Sequence, residues 1–547
     1  MSVALDTALA PIADIAADLG LLPDEFATYG RHAAKIELAA LDRRLDQPDG
    51  RLVCVTAVTP TRFGEGKTTT AISLTEALGV IGERAVLCIR EPSLGPVFGI
   101  KGGGTGGGRA QVVPMETINL HFTGDLHAIA AANNLLAAML EAHLFHGNAL
   151  GIDPLSVTWK RCLDVNDRAL RRTVVGLGGR LNGLPRETGF DITAASEVMA
   201  VVAMAGGVED LRERLGAITV GETVEGEPVT AEALGAAGAM ASLLVETLKP
   251  NLVQTLEGRP ALVHCGPFAN IAHGNNSVLA DRLGLKLGDY VVTESGFGAD
   301  MGFEKLIDIV CRSAGLVPSV AVVVATTQAL KHHGGDPAGG IQAIERGSAN
   351  LAAHLGVVQR FGLPCVVAVN RFPGDDPGEI EAVRGLALEL GATAAELNEG
   401  YEEGGEGAVA LAEAVVRAAS TPAQVDFLYS LDDSIEEKIA AIATQAYGAA
   451  GVELMPAAQA AADRLVAAGL GRLPVCMAKT HLSLSHDPAL IGAPEGFVLP
   501  VRELRPYTGA GWIVALCGEM QTMPGLSASP AALGIDVEPG GAITGLR

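Results

Sequence analysis

The apolar run LVCVTAV (52–58) leads directly into TPTRFGEGKTTT (59–70) and then into a helix-like stretch. A buried strand, a glycine turn and a helix opening on Lys-Thr form the local pattern of a phosphate-binding loop, which commits the chain around it to an α/β arrangement. Gly64 and Gly66 let backbone amides close around phosphate oxygens, and the helix start behind them presents a positive dipole end. Lys67 then reaches the outer phosphates, and Thr68 offers its hydroxyl to magnesium. Thr59, Pro60, Glu65 and Thr69 complete the segment expected around the nucleotide. The general pattern G-x-x-x-x-G-K-[ST] has glycine where this chain has Thr61, and Thr59 and Pro60 stiffen the approach instead. The other reading is a glycine turn carrying a solvated lysine. The strand before it and the threonines after it favour a nucleoside triphosphate.

The same arrangement recurs along the chain, with short apolar runs followed by polar, chemistry-bearing residues. AVLCI precedes Arg90 and Glu91, ALVHC precedes the segment 266–277, and YVVT precedes Glu294. VAVVVA precedes Thr326 and Thr327, and CVVAV precedes Asn370, Arg371 and Phe372. Continuous apolar strands separated by helical stretches predict a parallel sheet with ligands at the carboxyl ends of its strands, so these loops share one crevice. Length alone suggests roughly three or four domains. The expected architecture is α/β: a parallel-sheet phosphate-loop NTPase-like core (1–130 and 217–355), an inserted mainly helical domain (131–216), and a smaller C-terminal α/β domain (356–547).

A net charge of −24 argues against nucleic acid as a partner, because phosphate backbones are bound by clustered basic residues. No segment reads as a bilayer span, and the first thirty residues lack lysine and arginine, unlike a targeting sequence. The expected location is the cytoplasm. Eight dispersed cysteines without a C-x-x-C read as core thiols rather than disulfides or a zinc site.

KGGGTGGG (Lys101 to Gly108) holds too many glycines for a helix or strand, because glycine loses the most entropy on ordering. It reads either as an anion-binding flap with Lys101 facing substrate or as a flexible surface loop. Arg90 could fork onto a carboxylate and a phosphate, or form an interdomain ion pair with the same local sequence. Glu294 resembles the carboxylate that steadies magnesium in phosphate-loop enzymes, although strand-end carboxylates are common. His121, Asp125 and His127, like His486 and Asp487, fit no familiar zinc spacing, and no transition metal is expected. His264, His273, Asn275, Asn276 and Ser277 suit either substrate orientation and general-base work or a structural turn network.

The segments TPTRFGEGKTTT, REPSLGPVFGIKGGGTGGGRAQVVPME, NLHFTGDLHAI, VVGLGGRLNGLPRETGFDITAASEVMA, GPFANIAHGNNSVLAD, GFGADMGFEK, VNRF, MAKTHLSLSHDP and GAGWIVALCGEMQTMPGL together resemble the formate–tetrahydrofolate ligases. The resemblance runs in order from about residue 50 to the C-terminus. It implies ATP, formate and tetrahydrofolate as substrates, with 10-formyltetrahydrofolate, ADP and phosphate formed through formyl phosphate. Carried over by motif, Lys67 and Thr68 hold ATP phosphates and magnesium, and Arg90 holds formyl phosphate. Glu91 contributes to a monovalent-cation site for potassium or ammonium. Phe372 of the NRF motif and Tyr401, with Leu397, frame the pterin, so the C-terminal domain contributes the folate site. Tyr401 stands where the family pattern has tryptophan, and Glu403 where it has lysine, which implies weaker folate binding. The chain resembles the monofunctional form, a homotetramer. Two other readings are another ATP-dependent carboxylate-activating ligase, which would turn over ATP without tetrahydrofolate, and an ATP-switch protein, which would assemble on ATP without using formate.

Overall fold

A computed structural model describes residues 9–62, 64–99, 103–421 and 423–546. Its centre is a twelve-stranded sheet, of which β1 (Arg51–Ala57), β2 (Ala85–Ile89), β3 (Pro260–Val263), β4 (Tyr290–Glu294), β5 (Pro318–Ala325), β6 (Cys365–Asn370) and β7 (Ala394–Asn398) are mutually parallel. Their order across the sheet is β3-β2-β4-β1-β5-β6-β7. β2, β4 and β6 are buried along their whole length, and β1 after its first residue. Near-continuous apolar runs are what strands covered by helices on both faces require. Beyond β3 the sheet turns antiparallel through Asn251–Thr255, which carries Ala34–Ile36 and Ala110–Val113 at its edge.

The helix α1 (Lys67–Val80) leaves the end of β1 and packs against β2 and the helix Val409–Ala418. Every residue from Thr70 to Leu78 is buried, so α1 has no apolar stripe; it is enclosed along its middle and accessible at its two ends. Its N-terminal end faces the carboxyl ends of the strands.

The chain after 356 first adds β6 and β7 to the central sheet and then builds a separate three-stranded sheet from Val475–Ala478, Glu503–Tyr507 and Trp512–Leu516. Between 131 and 216, the helices Asp125–Phe145, Glu197–Met204 and Val208–Ala217 flank a middle of short strands and single 3-10 turns. There Thr173–Val175 pairs with Arg186–Thr188, and Arg161–Cys162 with Phe190–Asp191. Glycines at 176, 178, 179 and 183, all at positive φ, keep that middle from continuing as helix. Asp125–Phe145 is the one described helix long and apolar enough to cross a membrane, a length the sequence reading passed over. Its Leu126, Ile129, Leu136 and Leu140 are buried in the core. All eight cysteines are buried and free.

Candidate active site

The turn between β1 and α1 is fixed by its own side chains. Gly64 and Gly66 adopt φ of 77° and 78°, in the left-handed region open to glycine, and a Cβ at Gly66 would sit 2.7 Å from Asn370 Nδ2. The Glu65 carboxylate turns inward, accepting from Thr61 N (2.7 Å) and from Thr326 Oγ1 (3.0 Å). It therefore holds the loop's shape. Asn370, at the end of β6, donates to Glu65 O (2.8 Å) and accepts from Thr70 Oγ1 (2.9 Å), and Asn398 at the end of β7 donates to Asn370 Oδ1 (2.8 Å).

The start of the loop is equally held. Thr59 and Pro60 are buried. Thr59 N donates to Asn350 Oδ1 (3.2 Å), and His333 Nε2 donates to Thr59 O (2.8 Å). His354 accepts from Ala299 N at Nδ1 (3.2 Å), so Nε2 carries the proton and donates to Thr59 Oγ1 (2.9 Å). Burial pushes both His333 and His354 down to about 4, leaving them neutral. Lys67, Thr68 and Thr69 form the first turn of α1 and remain partly accessible.

Three of the expected residues meet at the end of β4. Thr68 Oγ1 donates to Glu294 Oε2 at 2.7 Å, and Glu294 Oε1 lies 3.7 Å from Arg90 Nε. Arg90 Nη1 donates weakly to Pro267 O (3.5 Å), while its buried Nε has no hydrogen-bond partner among the described residues. A buried guanidinium N–H left unsatisfied is costly, and a bound anion would satisfy it.

Glu91 points into a different compartment. Its buried carboxyl is held well above the usual carboxylate range by desolvation and by the charge of Asp125, with the Lys35 ammonium opposing. Glu91 Oε2 has no hydrogen-bond partner among the described residues, so the position suits either a proton or a hard cation. Asp125 itself is taken by Lys35 Nζ (2.9 and 2.8 Å) and Asn251 Nδ2 (2.8 Å), while His121 and His127 bond each other at 2.9 Å. The 264–277 segment forms a buried turn network. His264 contacts Ser277 Oγ and Thr247 O, Asn276 holds Cys88 O and Thr293 Oγ1, and Ser277 caps the helix Val278–Leu287. Burial lowers His264 to about 4 and His273 to about 3, too low for either imidazole to act as a base near neutrality.

The remaining expected residues cluster past β6 and β7. Phe372 follows Asn370, Leu397 lies within β7, and Tyr401 sits on the short helix Gly400–Glu403. Asn370 and Asn398 are register partners, so Phe372 and Tyr401 leave neighbouring strand ends. Tyr401 is 52% exposed. Its carbonyl accepts from Arg109 N (2.9 Å), and a Cβ at Gly107 would lie 3.1 Å from its ring. The glycine segment thus runs beneath Tyr401, with Gly106–Gly107 paired to Ala110–Val113 in a hairpin. Lys101 lies outside the described residues.

The comparison with protein families gives one family over the full length: the formate–tetrahydrofolate ligase model matches residues 1–547. The chain belongs to the formate–tetrahydrofolate ligase family. Curated relatives carry the same name. That from Roseiflexus sp. (strain RS-1) is 55% identical over 559 residues, covering 100% of this chain and 99% of the relative. That from Paracoccus denitrificans is 54% identical over 551 residues, covering 100% and 99%. That from Desulforamulus reducens is 53% identical over 549 residues, covering 98% and 97%.

In this member of the formate–tetrahydrofolate ligase family, several residues that shape the site were not expected to. Asn398, Asn350 and His354 carry no local motif, and only the tertiary fold brings them to the loop. Phe297 holds a positive φ of 63° just past Glu294 and stacks on His481 with ring centroids 4.3 Å apart. A non-glycine residue in that region just past a strand end is the kind of outlier that clusters at functional sites, and GFG in the sequence was its only trace.

Proposed function

We propose that this protein joins formate to tetrahydrofolate at the expense of ATP, giving 10-formyltetrahydrofolate, ADP and phosphate through formyl phosphate on a phosphate-loop core. Family membership supports the reaction. The observation that carries the site reading is the chain Thr68–Glu294–Arg90, which joins the N-terminal end of α1 to a guanidinium whose Nε has no hydrogen-bond partner among the described residues.

Formate is a resonance-stabilised anion and a poor electrophile. In the proposed sequence a formate oxygen attacks the terminal phosphorus of ATP, the bond to the bridging oxygen breaks, and ADP leaves. The folate amine then attacks the formyl carbon, phosphate departs with the bonding pair, and the amine loses its proton. Lys67 and the loop amides neutralise charge on the transferring phosphoryl group, and Arg90 holds formate in line and then formyl phosphate. Thr68 and Glu294 are hard oxygen donors suited to the magnesium that accompanies ATP, whose charge would stabilise the phosphates. Glu91, with its orphan oxygen, suits a monovalent cation, potassium or ammonium. Phe372, Tyr401 and Leu397 hold the pterin beside the glycine hairpin. The protein works as a homotetramer in the cytoplasm.

The test is to follow 10-formyltetrahydrofolate while omitting ATP, formate and tetrahydrofolate in turn. Product should require all three. ATP hydrolysis that proceeds equally without formate and folate would overturn the reading.

A further inference from the structure

Tyr401 stands on Gly400–Glu403, a helix of four residues, which has too few internal bonds to keep its shape alone. Bonds to other elements fasten it. At its start Gly400 N donates to Asn398 Oδ1 (3.1 Å), and Tyr401 O accepts from Arg109 N (2.9 Å). Just past its end Gly405 N donates to Glu257 Oε1 (2.9 Å), a carboxylate 148 positions away in sequence. Glu257 sits in the tight turn between Asn251–Thr255 and Pro260–Val263, which is closed by bonds from Gly258 N to Thr255 O (3.0 Å) and from Glu257 N to Thr255 Oγ1 (3.3 Å). Leu256 N donates to Gln111 O (2.9 Å), tying the same turn to the glycine hairpin. The bonds 109–401, 111–256 and 257–405 thus join hairpin, turn and helix in a closed ring.

The closeness of that ring accounts for the paired glycines of YEEGGEG (401–407). Gly404 has a φ of 67°, and a Cβ on it would lie 2.1 Å from Glu257 Oε1. A Cβ on Gly405 would lie 2.8 Å from Glu257 Oε2 and 2.9 Å from the Glu76 carbonyl carbon of α1. The carboxylate therefore reaches the backbone only because both side chains are missing, and a bond from N–H to a charged acceptor is stronger than one to a neutral acceptor. We propose that Glu257 is a positioning residue for tetrahydrofolate: its carboxylate fixes the turn at 404–405 and, through it, the angle at which the Tyr401 ring meets the pterin. An aromatic contact depends on ring geometry, and a ring held in place before the ligand arrives avoids the entropy of ordering it on binding. The inference rests on the reading of Tyr401 as a pterin contact and adds the residue that aims it.

Steady-state kinetics compare the wild type with Glu257→Ala, Glu257→Gln and Tyr401→Ala, and amide hydrogen exchange follows the peptides that cover 398–408. Glu257→Ala should raise the KM for tetrahydrofolate about fivefold, change kcat and the KM for ATP by less than about twofold, and speed exchange at 401–405. Glu257→Gln keeps an oxygen that can accept from Gly405 N, and should bring the folate KM back to within about twofold of the wild type. An unchanged folate KM in Glu257→Ala, beside a raised one in Tyr401→Ala, overturns this inference and leaves the pterin reading standing. Equal losses in kcat and in the KM values for ATP and folate also overturn it, since they mark a role in the fold at large, and so does a glutamine variant as impaired as the alanine one. Should the alanine variant fail to fold, Glu257→Asp decides: its carboxylate falls one methylene short of Gly405 N, and an unchanged folate KM overturns the proposal. If Tyr401→Ala and Glu257→Ala both leave the folate KM unchanged while exchange at 401–405 quickens in the latter, the pterin reading itself has failed and this inference falls with it.

Discussion

Thr68 Oγ1 donates a 2.7 Å hydrogen bond to Glu294 Oε2, tying the first turn of α1 to the carboxyl end of the neighbouring strand β4. The two residues are 226 positions apart in sequence. Glu294 also faces Arg90 at 3.7 Å, so one carboxylate engages both the first turn of α1 and the Arg90 guanidinium. Replacing Glu294 by alanine should therefore lower turnover by roughly a hundredfold, equivalent to about 3 kcal/mol of transition-state stabilisation. It should also raise the magnesium concentration needed for half-maximal rate. Steady-state kinetics across a magnesium titration tests this, and a variant with wild-type turnover and an unshifted titration would remove Glu294 from the site.

Arg90→Ala should abolish product formation while weakening ATP binding by less than about tenfold, since Lys67 and the loop amides remain in place. Calorimetric ATP titration beside the turnover assay separates the two effects. Equal loss of both would assign Arg90 to the nucleotide or to the fold.

Tyr401→Ala should raise the apparent KM for tetrahydrofolate by an amount corresponding to roughly 0.5–1.5 kcal/mol of aromatic contact, with the values for ATP and formate little changed. Tyr401→Trp should lower it, because indole covers more of a flat ring. An unchanged folate KM in the alanine variant would mean that the pterin stacks elsewhere.

Glu76 supplies a pH prediction. It lies in the buried part of α1 with neither carboxylate oxygen hydrogen-bonded among the described residues, and burial first, then the charge of Glu257, pushes it up to about 8 from 4.5. Between those two values the unfolded chain releases this proton while the folded protein keeps it. The folded state then binds more protons, so stability falls as pH rises through that window, by at most about 1.4 kcal/mol per pH unit for a single group. Glu76→Gln should flatten the decline of the thermal midpoint between pH 6 and 8 relative to the wild type. Parallel curves for the two proteins would show that Glu76 does not carry the effect.

What the sequence made legible was local. The strand, glycine turn and Lys-Thr helix start lie within twenty residues and need no tertiary partner to be recognised, and the apolar runs announced a parallel sheet. The Thr70–Asn370–Asn398 chain was not legible, because an asparagine after a strand looks alike whether it braces a loop or faces water. Glu65 read as a phosphate-loop contact from its position, and only the fold shows its carboxylate engaged by Thr61 and Thr326. The glycines of 103–108 suggested looseness, yet close approach explains several of them. A Cβ at Gly103 would lie 2.1 Å from Asn119 Nδ2, and one at Gly108 2.0 Å from Tyr401 O.

The seat of β1 between β4 and β5 sets an order of events while the chain is being made. Residues 51–57 emerge from the ribosome early, but their neighbours at 290–294 and 318–325 follow only after more than two hundred further residues, on the order of tens of seconds at about 5–20 residues per second. During that interval the apolar strand that leads into the glycine turn has neither flank covered. A nascent or truncated chain ending before β4 should therefore be a client for chaperones and unable to capture ATP, and nucleotide binding should appear abruptly once β5 has been released.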